Sequence, residues 1–165
     1  MHRKRDKDIF RSPKFIGLTT SKTVNLIYDP KDSLIVTDAM FVFSVKKGID
    51  PAAVSAVMQS RPFLFFYRVS NQGESRVIPQ LKAAKLQTLP FPDIKEGDFE
   101  SVKLVSLVNR AIEIRRAIDE AKTDRDKGSL HSGFDSILHQ IDSVVCQAYG
   151  LDQNDSKYID EWLKR

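Results

Sequence analysis

Cysteine is nearly absent from this chain of 165 residues, and its one copy, Cys146, leaves no partner for an internal disulfide. A lone thiol agrees with a reducing compartment. Glycine is sparse too, and the seven residues, at 17, 48, 73, 97, 128, 133 and 150, never fall two apart. That spacing excludes a dinucleotide fingerprint and a phosphate-cradling loop. No apolar run approaches the roughly 20 residues a bilayer span needs, and residues 1–10 are charged, so neither a transmembrane helix nor a signal peptide is expected. The expected location is the cytoplasm, with no membrane partner.

Catalytic and metal chemistry is equally thin. His2, His131, His139 and Cys146 give no zinc spacing. Asp135, His139 and Asp142 could share a helix face, but a solvated face explains them better than a metal. Pro92-Asp93 followed by Glu120-Ala121-Lys122 formally matches the carboxylate, carboxylate, lysine set of metal-dependent phosphodiesterases. Such chemistry needs the carboxylates to converge on one cation, whereas Glu120 and Lys122 fall at a helix end, on different sides. The sequence thus offers no catalytic residue, no metal site and no cofactor of its own.

What is present is an uneven charge. The net value is +4, yet residues 1–94 hold fifteen Lys/Arg against eight Asp/Glu, and residues 95–165 hold eleven against fourteen. A basic first part and a mildly acidic second part suggest that only the first faces a polyanion. Residues 1–10 read as a flexible lead-in, 11–94 as an α/β unit and 95–165 as a helical hairpin.

Along the chain, Pro13 to Gly17 is extended and breaks at the glycine. Strands are expected at Val24 to Tyr28, Leu34 to Val36 and Met40 to Val45, with Asp29-Pro30-Lys31-Asp32 as a turn. Asp50-Pro51 and Ser60-Arg61-Pro62 are helix starts, the first opening a helix to Gln59 and the second one over Phe63 to Val69. Its Phe63, Leu64, Phe65, Phe66 and Tyr67 suit a core better than base stacking. The stretch from Val77 to Ile94 is a seam, where strand-like periodicity gives way to helical spacing. There Leu86, Leu89 and Phe91 tuck against the first unit, and Pro90 and Pro92 aim the hairpin.

Beyond a charged linker at Lys95 to Glu100, Val102 to Ala121 is a long amphipathic helix with Leu104, Val108, Ala111 and Ile118 on one stripe. Thr123 to Ser129 reads as a break. A second helix aligns Phe134, Ile137, Leu138, Ile141, Val145 and Ala148, and the two should pack antiparallel. Gly150 ends it, and Asp152 or Asp155 starts a last helix burying Ile159, Trp162 and Leu163. The fold class is therefore α+β: a small mixed or antiparallel sheet with short packed helices, then an antiparallel helical hairpin and a short C-terminal helix.

Several motifs carry a resemblance. Arg11-Ser12-Pro13-Lys14, Val36-Thr37-Asp38-Ala39-Met40-Phe41-Val42-Phe43, Val57-Met58-Gln59-Ser60 leading into Phe63 to Tyr67, and Leu86 to Pro92 occur in that order. So do Ile141-Asp142-Ser143-Val144-Val145, Tyr149-Gly150-Leu151 and Ile159. Together they resemble the TaqI-like C-terminal specificity domain, the target-recognition module of adenine-specific DNA methyltransferases and fused restriction-modification enzymes. It is similar to the recognition domains of type I specificity subunits. Family members often carry Leu-Asn-Ser where this chain has Met58-Gln59-Ser60.

The resemblance implies sequence-specific binding of double-stranded DNA beside a methyltransferase catalytic domain or subunit. S-adenosylmethionine belongs to that catalytic part, since no Asn/Asp-Pro-Pro-Tyr motif occurs here. Phosphate contacts are expected from Lys14, Lys22, Lys46, Lys47, Arg61 and Arg68. Base edges would be read by Thr20, Ser21, Asn71, Gln72 and Arg76, on two polar loops. The alternative is a protein-interaction or structural module that docks through the hairpin without binding DNA.

Overall fold

The alternating apolar residues before Asp50 form a three-stranded antiparallel sheet. In the computed structural model, residues 13–18, 26–31, 34, 36, 40–70 and 86–164 are described. Strands β1 (Lys14–Leu18), β2 (Leu26–Asp29) and β3 (Met40–Phe43) are arranged in the order β2-β1-β3. Phe15 lies opposite Tyr28 on one side and Phe43 on the other, and its ring stacks on both, with centroids 5.1 and 5.0 Å away. These cross-strand aromatic pairs hold the register, because a slip of one residue would turn every ring to the other face.

Gly17 does not break the chain. It sits inside β1 opposite Phe41, and a Cβ there would lie 2.3 Å from the Phe41 ring and 2.8 Å from Leu26 Cδ2. The glycine is needed for close approach, not for a turn. Gly17→Val is expected to cost about 1–3 kcal/mol through overpacking, read as a lower urea midpoint. Leu34 and Val36, expected on a strand, lie outside any strand. Instead the Leu34 N–H is captured by Asp29 Oδ2 at 2.9 Å, which bends the chain back on β2.

The helix starts behave as their residues dictate. Asp50 caps α1 (Pro51–Gln59) by accepting from the Ala52 N–H at 2.7 Å, with proline at the first turn. Helix α2 (Arg61–Ser70) follows at once. Ser60 Oγ bonds back to the Val57 carbonyl and accepts from the Phe63 N–H, so one buried hydroxyl ends α1 and starts α2.

Two expected loops are shorter than the spacing suggests. Helix α3 (Phe99–Glu120) begins within the supposed linker, and α4 (Asp124–Ala148) starts immediately after Thr123, which caps Asp126 N–H at 3.1 Å. Thr123 with Asp126 three residues on is a local start signal that outweighs the low apolar content of residues 123–129. Helix α4 closes in a Schellman turn, with Gly150 at φ 71° and the Leu151 N–H donating to the Cys146 carbonyl. Asp152 and Asp155 act together as a capping box for α5 (Gln153–Leu163).

Helices α3 and α4 form the hairpin, and α1 packs on α3. Phe15, Val57, Phe63, Tyr67, Leu89, Leu104, Ile137 and Val145 belong to one continuous apolar cluster that joins sheet, short helices and hairpin. Ala111 packs at its margin and Leu107 is buried with it. Leu138 is 40% exposed and Phe91 is equally open, so neither plays the core role their spacing suggests. Of the residues assigned to the last helix's buried face, Ile159 is buried while Trp162 and Leu163 are half-covered.

Candidate nucleic-acid interface

The cations expected to meet phosphate separate into two groups. Lys46 and Lys47 are exposed on the turn between β3 and α1, where Gly48 takes φ 88° and its carbonyl accepts the Glu96 N–H. The left-handed glycine lets the chain reverse there, leaving both lysines at the surface.

Lys14 is buried, while Arg61 and Arg68 are half-buried and bonded to other elements. Lys14 pairs with Asp29, its partner across β1 and β2, at 3.5 Å, with side chains 2% and 1% exposed. An ammonium so buried is out of reach of a phosphate, which corrects the expected role of Lys14. Both faces of the central strand are covered, since Lys14, Phe15, Ile16 and Gly17 are all buried.

Arg61 is the centre of a polar node. Its backbone N–H donates to Asp142 Oδ1 at 2.8 Å and its Nε to Asp142 Oδ2 at 2.7 Å. Nη1 donates to Asp160 Oδ1 at 2.6 Å, and Nη2 lies 3.2 Å from His139 Nδ1. Asp142 thus caps α2 from a different helix and neutralises its first side chain. Burial works to lower the Arg61 pKa, but the bonds to Asp142 and the charges of Asp142 and Asp160 outweigh it and hold it above the ordinary value. This guanidinium is already bonded to two carboxylates and remains about a third exposed. Arg68 donates from Nη1 to the Leu163 carbonyl at 3.1 Å.

Thr20, Ser21, Lys22, Asn71, Gln72 and Arg76 lie outside the described residues. Sequence reasoning did not connect Asp142 and Asp160 with Arg61, because they are 81 and 99 residues away and no local pattern marks the pairing. The trace of it was the Ile141-Asp142 motif.

Among the described residues there is also a wide cleft, and a thiol is buried beneath the surface. A cleft of ≈ 1040 Å³ opens between β2, α1 and the hairpin, floored by Leu26, Ala56, Val108 and Ile141 and edged by Gln59, Arg116 and Asp135. Burial pushes the Cys146 thiol pKa up, so the thiol stays protonated at neutral pH and makes a poor nucleophile. Tyr149 donates its hydroxyl to the Pro90 carbonyl at 2.9 Å, and burial raises its pKa strongly. That bond ties the seam to the end of α4. Among the described residues no cluster of His, Cys, Asp and Glu could hold a metal, and no helix is long and apolar enough to cross a membrane.

These features define a small α+β domain whose described surface carries cations on a turn and whose half-buried arginines tie helices together. The family model for the TaqI-like C-terminal specificity domain matches residues 1–91, more than half of the chain. The chain belongs to that family. The match takes in the sheet, α1 and α2, and ends at Phe91 in the seam. No curated protein matches the sequence.

Proposed function

We propose that this protein recognises double-stranded DNA in a sequence-specific manner, as the target-recognition part of an adenine-specific DNA methyltransferase or restriction-modification enzyme. The observation that carries the reading is the specificity-domain match over residues 1–91. The basic balance of residues 1–94 supports it. The catalytic work, including binding of S-adenosylmethionine and extrusion of the target adenine, belongs to a partner domain or subunit. The chain's own contribution is register and readout. Lys22, Lys46 and Lys47 neutralise phosphates, while Thr20, Ser21, Asn71, Gln72 and Arg76 meet base edges in the major groove.

The two jobs separate experimentally. Duplex affinity should fall steeply with salt, and Lys46→Ala or Lys47→Ala should each reduce the slope of log K against log salt by about one without changing preference. Gln72→Ala or Arg76→Ala should instead cost about 1–3 kcal/mol on the preferred duplex and relax its distinction from others. Salt-independent binding, or no duplex binding at low salt with a methyltransferase core supplied, would overturn the proposal.

A second reading, docking of another protein on the hairpin with no DNA binding, is favoured by Phe99 and Val102. These lie three residues apart on α3 and are 73% and 59% exposed. It predicts partner binding lost on Phe99→Asp and no affinity for duplex DNA at any salt concentration.

A further inference from the structure

A small pocket opens where the seam passes the end of β3. Its cavity of ≈ 270 Å³ is lined by Phe43 of β3, Val54 and Met58 of α1 and Phe91 of the seam, with Ser44 and Gln87 as its polar members. Val54 and Met58 are buried, whereas Ser44, Gln87 and Phe91 are exposed, so an apolar floor meets a more polar mouth. The seam is tied on both sides of Phe91. The Pro90 carbonyl accepts from the Tyr149 hydroxyl at 2.9 Å, and the Glu96 N–H donates to the Gly48 carbonyl at 3.1 Å. The backbone that carries Phe91 is therefore fixed while its side chain stays 40% exposed.

Charge marks the same place. Val45 and Ile49 also line the pocket, and the residues between them are Lys46, Lys47 and Gly48. Consecutive Cα atoms are about 3.8 Å apart, so both exposed lysines start within two residues of the lining. Their ammonium groups sit on flexible four-carbon stems that can reach an anion at the mouth.

We propose that this pocket receives one unpaired nucleobase: the base lies against Phe91 and Phe43, Gln87 meets its polar edge, and Lys46 and Lys47 hold the flanking phosphates. A base has an apolar face that stacks on an aromatic ring and an edge of donors and acceptors, and a carboxamide supplies both. The cavity falls below the roughly 300–1,000 Å³ of sites for drug-sized ligands, which fits a single base. An apolar side chain of a protein partner would fill the floor equally well but would leave the two lysines without a role. The proposal rests on the DNA-recognition reading above and extends it, since the duplex is held by charge and one base outside the stack is held by the pocket. Every lining residue falls within the 1–91 match.

The test uses the full chain and three duplexes of one sequence: fully paired, with a one-nucleotide adenine bulge, and with an abasic residue at the bulge. The abasic bulge keeps the extra phosphate and removes the base alone. Wild type should bind the adenine bulge about tenfold more tightly than the abasic one. Phe91→Ala should abolish that preference and leave affinity for the paired duplex unchanged. Phe91→Tyr, which keeps a ring, and Tyr158→Ala, which removes an exposed ring on α5, should retain it. If Phe91→Ala does not fold, Phe91→Leu, which keeps apolar cover without a π-face, takes its place and should also lose the preference. Equal binding of the two bulges by wild type overturns the pocket, as does a preference intact in a folded Phe91→Ala or Phe91→Leu chain. Association with a methyltransferase core that depends on Phe91, with no base preference, overturns it too and makes the pocket a protein-docking site. Binding of the paired duplex without base preference sinks the pocket alone. Failure to bind any of the three duplexes at low salt sinks the recognition reading, and the pocket falls with it.

Discussion

Lys14→Met is expected to destabilise the protein by about 3–5 kcal/mol, the cost of removing one partner from a buried ion pair. Lys14 and Asp29 are opposite each other in the β1–β2 ladder, and both side chains are almost wholly out of solvent. Asp29 also holds the Leu34 N–H at 2.9 Å and the Lys31 N–H at 3.4 Å, so its carboxylate organises the turn after β2 as well as the strand pair. With methionine at 14, the buried Asp29 carboxylate loses the ammonium it faces across the ladder. The further change Asp29→Asn should recover much of the loss, because an amide oxygen still accepts from Leu34 and the buried negative charge that faced Lys14 is gone. Urea unfolding of the single and double variants checks this, and duplex binding supplies the contrast. A solvent-facing Lys14 on a phosphate would give stability within about 1 kcal/mol of wild type and a salt slope lower by about one.

Local signals were legible where the chain itself satisfies backbone groups. Asp50-Pro51, Ser60, Asp152 with Asp155, and Gly150 each cap or close a helix through partners within five residues, so the sequence pattern suffices. Thr123 and Asp126 carry the same kind of signal, yet the polar residues around them resemble a loop and mask the start of α4. Gly17 was misread for a different reason. The space its missing Cβ leaves is filled by Phe41 from another strand, which no window around residue 17 contains.

The site shows the same division more sharply. Exposure of Lys46 and Lys47 follows from their place beside Gly48, whose positive φ turns the chain there. Burial of Lys14 and capture of Arg61 depend on Asp29, Asp142 and Asp160, acidic residues that composition counts only as charge. Charge-counting therefore overstates the basic surface of residues 1–94, since three of its cations serve packing between elements.

Leu104→Ala is expected to cost about 2–5 kcal/mol and to lower a single unfolding transition, by roughly 5–15 °C for a chain of this size. Leu104 is 0% exposed, in the same core as Val57 of α1 and Val145 of α4, both equally closed. Removing three carbons there opens a cavity at the meeting of the short helices and the hairpin, and close-packed surroundings relax only partly into it. The consequence reaches the surface proposed to read DNA. If α3 and α4 were a separate appendage, the variant would shift one of two transitions, and duplex binding by the sheet and α1–α2 unit would persist through it. With one continuous core, tertiary structure reported by Trp162 on α5, helical content and duplex affinity should all be lost together at the lowered midpoint. Coincidence of the three curves checks the shared core, and a binding curve that outlasts the helical one would assign the hairpin its own stability.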